Sequence, residues 1–476
     1  MVFNILGKTL LILAVLMCLP LFVGLYYREN SSFDYLIPIA GLIAIGLPLS
    51  MLKIKDKSIY AKEGFVIVAL AWIFMSLVGC VPFILSGSIP NFADALFETV
   101  SGFTTTGASV LSDIESLSKS ILFWRSFTHW IGGMGVLVFV LAVTPKYQSG
   151  IMHVFRSEAP GPSVSKLVSK LTHTARILYS IYIVLTIIET VLLRLGGMPL
   201  FDSVTHAFST AGTGGFGIKN NSIAFYDSVY IEMVIATFMF LFGINFNVFY
   251  LMLIGNFKKA FKNEELIAYF SIVVGATLII AVNILSSVAS FGQAVRYSFF
   301  QVTSISSTTG FSSVDFDKWP TFSKSIIVVL MIVGACGGST GGGIKASRLV
   351  MMFKSAIADI RRLIHPRAVV SPKFEGELLD KDTERNLHTY FILWVLIVVL
   401  TTVLLSLDVN DFFTNFSASL ACIGNVGPGF NLVGPMCNYA LYQPLSKVLL
   451  SFVMLSGRLE IFPMIILFAP RTWRRA

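Results

Sequence analysis

Apolar residues run through this chain in long blocks, where a soluble protein would show short alternating or helical stripes. A helix needs about 20 mostly apolar residues to cross a bilayer. Ten stretches approach or exceed that length: 5–27, 35–52, 64–86, 121–143, 177–196, 229–254, 266–288, 323–350, 389–407 and 445–469. Of these, 323–350 is expected to be interrupted. Four shorter segments, 91–107, 200–217, 291–311 and 411–430, are amphipathic, too polar to cross, and end in Gly and Thr. Each lies between two spans, so one order recurs four times: span, short helix, loop, span. Such internal repetition outweighs any single motif. Boundaries are expected at 1–60 for two leading helices, then 61–150, 151–257, 258–360 and 361–476 for the repeats.

Composition agrees with the pattern. Of 476 residues, 55% are hydrophobic and 13% charged, about half the charge of an average soluble protein. Three soluble domains, a disordered chain and a fibrous protein are thereby excluded. The net charge of +9 is spread through the loops and forms no nucleic-acid patch. With the N-terminus inside, the inner loops hold 24 basic residues plus Lys8, against nine outside. The positive-inside rule then places both termini in the cytoplasm. No small-residue cleavage site follows the first span, which reads as a retained helix. Five cysteines (Cys18, Cys80, Cys336, Cys422, Cys437) form no CxxC pair; Cys437, in a polar loop, is the one expected to be redox-exposed.

The four short segments align without gaps on their last glycine. They read Ser101-Gly-Phe-Thr104-Thr105-Thr106-Gly107, Ser209-Thr-Ala-Gly212-Thr213-Gly214-Gly215, Ser304-Ile-Ser-Ser307-Thr308-Thr309-Gly310 and Ala421-Cys-Ile-Gly424-Asn425-Val426-Gly427. Two positions before the glycine stands Thr, Thr, Thr and Asn. A dehydrated monovalent cation needs a ring of oxygens, which backbone carbonyls supply when all point inward. Aiming successive carbonyls alike calls for angles that glycine tolerates best. Irregular backbone at membrane depth persists only when buried or lining a water-filled path. A half-helix entering from outside also points its negative end at the ion. Four such loops around one axis make a cation filter; the plainer alternative is four outside loops rich in turn residues.

Two further features lie in late spans. Six of the ten residues from Gly334 to Gly343 are glycine, and each costs a helix about 1 kcal/mol relative to alanine. A helix broken at mid-membrane suggests backbone lining a cavity, with a packing kink as the alternative. Arg458 is the one basic residue deep in a late span, where burial costs roughly 3 kcal/mol or more. Glu460 is too near in sequence to face it, so a structural partner would be a carboxylate such as Glu189 or Glu98.

The chain resembles the TrkH-type membrane subunits of the Trk/Ktr/HKT superfamily of potassium transporters. The likeness spans nearly all 476 residues and, beyond the loops, includes Phe123-Trp-Arg-Ser-Phe-Thr-His-Trp130-Ile-Gly-Gly-Met-Gly135, Gly334 to Lys345, and Gly457-Arg458-Leu-Glu460. Two helices ahead of the repeats favour the TrkH type over the shorter KtrB subunits. The resemblance implies an all-α polytopic fold of four parallel M1–pore helix–M2 repeats around one pseudo-fourfold pore, plus two N-terminal transmembrane helices. It implies a potassium filter of Thr105, Thr106, Gly107, Thr213, Gly214, Gly215, Thr308, Thr309, Gly310, Asn425, Val426 and Gly427. A gate loop beneath it would hold Gly334, Gly337, Gly338, Gly341, Gly342, Gly343 and Lys345, with Arg458 close by, opposing idle passage. Glycine in all four repeats resembles the potassium-selective members; some sodium-selective plant relatives carry Ser where this chain has Gly107. Asn425 departs from Thr and gives that quarter a different ligand field. The resemblance also implies a homodimer with two separate pores in a bacterial inner membrane. Its partner would be a cytosolic TrkA-like ring bringing NAD(H) or ATP. None of that nucleotide machinery is visible here, and no organic cofactor is expected in the chain.

Other signals fail. Gly212-Thr-Gly-Gly-Phe-Gly217 matches G-x-G-x-x-G but lacks a βαβ context. In Gly338 to Ser347, Ile344 separates glycine from Lys345 and spoils a P-loop. His206 is expected to pack, and no Ser-His-Asp set or metal cluster supports an enzyme. A proton- or sodium-coupled secondary transporter remains the second reading, although inverted repeats would be expected and these are parallel.

Overall fold

A computed structural model describes residues 2–52, 61–135, 171–367, 371–409 and 411–473. Apolar runs free of breakers become continuous helices. Ahead of the repeats, α1 (Val2–Tyr26) packs on α2 (Leu36–Met51). Glycine permits the crossing: a Cβ on Gly7 would lie 2.5 Å from Ser50 N and 2.7 Å from Gly46 O. Their most apolar windows are only 39% and 28% buried, which suits helices turned toward lipid.

Repeat 1 contains α3 (Ala61–Gly79), the short α4 (Phe92–Phe103) and α5 (Lys119–Gly133). Repeat 2 contains α6 (Leu171–Leu195), the short α7 (Leu200–Ala211), α8 (Val229–Phe242) and α9 (Phe246–Leu253). Repeat 3 contains α10 (Glu264–Ile284), the short α11 (Phe291–Ser306), α12 (Thr321–Val333) and α13 (Ala346–Ile364). Repeat 4 contains α14 (Lys381–Leu405), the short α15 (Phe412–Gly424), α16 (Pro444–Arg458) and α17 (Phe462–Phe468). Among the described residues, one antiparallel hairpin departs from the helical pattern: β1 (Lys373–Phe374) and β2 (Glu377–Leu378), with Lys373 opposite Leu378.

Side chains start the short helices where the chain supplies them. Asn91, Ser290 and Asp411 accept the N–H groups of Ala93, Gln293 and Thr414 at 2.8, 3.2 and 3.2 Å, satisfying donors that a helix start leaves open. Each short helix then packs against the second helix of a neighbouring repeat: α7 on α5, α11 on α8, α15 on α12, and α4 on α16. The last of these contacts closes the circle.

Among the described residues, six helices are long and apolar enough to span a membrane. The sequence predicts one interrupted span; the structure breaks the second helices of repeats 2 and 4 as well. Within 229–254, α8 and α9 meet at 90°. The break follows Gly243, and Asn245 begins α9 by accepting the N–H of Asn247 at 3.0 Å. Within 445–469, Glu460 and Ile461 take φ of 59° and 68°, and α17 opens with Pro463. These breaks occupy so few residues that hydropathy averages over them. The helix expected at 121–143 ends at Gly133, and its portion beyond residue 135 lies outside the described residues.

Candidate ion pathway

All four short helices end in the same hydrogen-bonded cap. Thr106 N–H reaches Ser101 O at 2.9 Å, while Thr105 N–H reaches Gly102 O at 3.1 Å. The equivalent pairs are 2.8 and 2.9 Å for Gly214 and Thr213, 2.8 and 3.0 Å for Thr309 and Thr308, and 2.9 and 3.3 Å for Val426 and Asn425. This is the Schellman pattern, which needs a left-handed residue just past the helix. That residue is Thr105, Thr213, Thr308 or Asn425, at φ of 55°, 54°, 62° and 53°. Such a φ on a β-branched residue costs about 1–3 kcal/mol and is tolerated where the surroundings enforce it. Two residues on, Gly107, Gly215, Gly310 and Gly427 take φ of 80°, 76°, 84° and 94°. Between them stands one residue of ordinary φ.

These glycines touch one another's loops in a closed ring. A Cβ on Gly107 would strike Gly214 O, one on Gly215 would strike Thr309 O, and one on Gly310 would strike Val426 O. A Cβ on Gly427 would lie 2.6 Å from Thr106 O. Each of these glycines thus sits against a carbonyl of the next repeat. All four line one cavity of about 220 Å³, together with Arg125 and Tyr439. Tyr439 donates its hydroxyl to Gly427 O at 2.8 Å. On the rim, the Asn220 amide donates to Asp113 at 3.1 Å and holds that carboxyl below its usual range.

Side chains around the ring differ from repeat to repeat. Buried hydroxyls pair in repeats 1 and 3, Thr104 with Thr106 and Ser307 with Thr309, both at 2.7 Å. Asn425 uses its amide as a strut, donating to Thr106 Oγ1 and to Met454 O, each at 3.0 Å. Behind repeat 1, Glu98 accepts from Ser109 Oγ and Val110 N at 2.9 Å and from Arg125 Nε at 2.6 Å. Arg125 in turn donates to Gly217 O at 2.7 Å and lies 3.7 Å over the Phe216 ring. One ion pair therefore braces the chain leaving two adjacent loops of the ring.

The glycine-rich loop between α12 and α13 lies directly against the inner end of this ring. A Cβ on Gly341 would be 2.7 Å from Ser307 O, and one on Gly342 would strike Gly424 O. Gly342 N–H donates to Thr308 Oγ1 at 2.6 Å. Gly334, Gly338 and Gly343 take φ of 68°, 73° and 76°. The loop is also stitched into the break of repeat 2: Cys336 N–H reaches Gly243 O at 3.0 Å, and Phe246 N–H reaches Gly338 O at 3.1 Å. Lys345, buried, donates to Gly341 O. Arg458 donates to Thr340 O at 2.7 Å, to Gly132 O at 2.5 Å and to Gly133 O at 2.7 Å. It joins the loop to the end of α5, in the repeat adjacent to its own.

A family model described as TrkH, cation transport protein, matches residues 34–475. The chain belongs to the TrkH family. The Trk system potassium uptake protein TrkH of Salmonella typhimurium is 34% identical, over 99% of this chain and 98% of that protein. The TrkH of Halomonas elongata is 32% identical over 100% and 99%. The crystal structure of the potassium transporter TrkH from Vibrio parahaemolyticus superposes with a TM-score of 0.89, at 32% identity and 99% coverage of both chains. TrkH proteins are transporters, and this chain shares their multi-pass, fourfold-repeated helical architecture.

Within this TrkH fold, the twelve positions read from sequence as a filter lie in the ring and its caps; of the eight read as a gate, Gly341 and Gly342 touch the ring, Gly334 and Gly343 pack on each other, and Lys345 and Arg458 donate to carbonyls of the same loop. Of the two carboxylates weighed as partners for Arg458, Glu98 is held by Arg125. Glu460 pairs with Arg348. His206 packs as expected, stacked on Phe311 with ring centroids 5.6 Å apart. Cys437 is the exposed cysteine and lines the same cavity as the four ring glycines. The sequence named Glu98 only as a possible partner of Arg458 and Arg125 only within the Phe123–Gly135 likeness, and it did not single out Asn245 or Glu265. For Arg125 the available signal is its place inside Phe123–Trp130, within an expected span.

Proposed function

We propose that this chain conducts potassium ions into the cell through the axis of the four repeats, favouring K+ over Na+. The reading is carried by the closed ring in which each filter glycine abuts a carbonyl of the next repeat, four times over. Such a ring, with left-handed residues at matching positions, supports a set of inward carbonyls able to replace an ion's hydration shell. The units 61–150, 151–257, 258–360 and 361–476 each supply one quarter, and 1–60 lies outside the pore. Thr105, Thr106, Gly107 and their counterparts form the filter; the loop from Gly334 to Lys345, with Arg458, forms the gate.

Basic residues in the inner loops support cytoplasmic termini and a place in the bacterial inner membrane. On α13, Phe353, Ile357, Ile360 and Ile364 are exposed along one face, which supports docking of a cytosolic TrkA-like ring. NAD(H) or ATP would bind that ring, and the chain itself would pair as a homodimer with two pores.

The test is rubidium and potassium uptake into proteoliposomes holding the purified chain, with sodium and lithium as competitors. Saturable rubidium flux down a potassium gradient, little affected by sodium, is expected. Flux that requires an imposed proton gradient would replace the pore with a coupled transporter.

A further inference from the structure

The loop from Gly334 to Gly343 has few side chains with which to hold itself in place. One buried carboxylate outside it supplies much of what it lacks. Glu265 stands in the first turn of α10 and is 3% exposed. Its Oε1 accepts the N–H of Gly337 at 2.6 Å and the N–H of Ser347 at 3.0 Å. Its Oε2 accepts from Asn245 Nδ2 at 3.4 Å. Gly337 lies near the start of the loop, and Ser347 lies in the first turn of α13. A single oxygen therefore draws the two ends of the loop together.

The same carboxylate reaches the hinge of repeat 2. Asn245 separates α8 from α9, and a Cβ on Gly338 would lie 2.9 Å from its Oδ1. Hydrogen bonds to an ionised acceptor are about twice as strong as neutral ones. A buried carboxylate is retained at a cost unless its donors stay in place. Moving the loop away from the ring would strip Glu265 of the Gly337 donor, and a loop that carried the start of α13 with it would strip the Ser347 donor as well, which makes the present position a stable well. Next to it, Glu264 accepts Lys354 Nζ of α13 at 2.5 Å, so α13 is tied to the same helix start at two points.

We propose that Glu265 is a positioning residue that latches the glycine-rich loop across the pathway. The proposal rests on the reading of that loop as a gate. The experiment compares the full chain with Glu265→Ala and Glu265→Asp variants in proteoliposomes. It measures basal rubidium flux and sodium competition, and follows hydrogen exchange of the loop peptide by mass spectrometry. Losing the latch is expected to raise basal flux about tenfold in Glu265→Ala, the effect of a shift of roughly 1.4 kcal/mol between closed and open forms. Sodium discrimination should stay as in the parent, and exchange protection of the loop should fall. Parental flux with parental protection in a folded Glu265→Ala protein would overturn the latch, as would collapse of sodium discrimination. Should that variant not fold, Glu265→Asp decides: it keeps the charge but shortens the reach by a methylene. Raised flux and loop exchange support the latch, and parental values of both overturn it. Loop exchange that rises while flux stays at the parental level would keep the latch and overturn the gate reading on which it rests.

Discussion

The proposed filter and the proposed gate lie within van der Waals reach of each other yet are held in opposite ways. Each filter loop is fixed first by its own helix, through two cap bonds made within six residues of sequence. The proposed gate loop is fixed by residues of three repeats and linked through one of them to the remaining one. Gly243 and Asn245 come from the second, Glu265 and Thr308 from the third and Arg458 from the fourth, and Arg458 also holds the carbonyls of Gly132 and Gly133 in the first. Local caps make a rigid part, because each survives small shifts of its neighbours. A loop held by distant elements responds to any of them. Selectivity calls for the first arrangement and regulation for the second, and the two meet at Thr308, whose hydroxyl accepts a gate N–H.

The largest expected effect comes from putting a side chain into the ring. A Cβ on Gly310 would strike Val426 O and lie 2.8 Å from Pro428 Cδ, at a φ of 84°. Gly310→Ser should therefore displace that quarter and cut the potassium-to-sodium preference at least tenfold, read as sodium inhibition of rubidium uptake. Parental preference in a folded protein would remove the ring from the selectivity mechanism. Next is Arg458→Ala, which frees Thr340 O and the end of α5 together. Basal flux should rise several-fold with selectivity kept, as should shortening the Gly334–Gly343 run. Unaltered flux would assign Arg458 to packing. If the comparison holds, filter changes move preference and gate changes move rate.

How much of this was legible in the sequence follows the same division. The filter positions could be aligned because each cap is local: a Gly or Thr at a fixed distance past a short helix carries its own geometry. The glycine-rich break was legible because six glycines in ten residues leave no helix. The breaks at Gly243–Asn245 and Glu460–Ile461 were not, because one or two residues barely change a long hydropathy window. Glu265 was hidden too. An acidic residue in a helix's first turn has a sufficient local reason to be there, and nothing in Asn263-Glu264-Glu265 announces a loop seventy residues away. Contacts over such separations are visible only once the chain is folded.

Between the two classes stands the brace of repeat 1. Glu98 and Arg125 are 0% and 3% exposed and belong to different helices, yet together they hold the chain that leaves two loops of the proposed filter. Removing one partner of a buried pair costs about 3–5 kcal/mol. Glu98→Gln keeps the shape and should lower thermal stability, with a modest loss of potassium preference, since repeats 1 and 2 lose their shared support at Ser109, Val110 and Gly217. Stability lost with preference intact would mean that the caps alone hold the filter.

The smallest effect expected is at Cys437, whose exposed thiol lines the same cavity as the four filter glycines. A cationic methanethiosulfonate reagent added from outside should reduce rubidium flux partially, by like-charge repulsion at the mouth, and Cys437→Ser should abolish the sensitivity. A neutral reagent of equal size should do less. Because the reagent meets neither the caps nor the gate loop, it should leave both preference and gating untouched, so equal sensitivity in the parent and in Arg458→Ala would separate access to the filter from release of the gate. Sensitivity found only in Arg458→Ala would instead mean that the outer cavity and the gate loop move together, and the rigid-filter half of the comparison would fail.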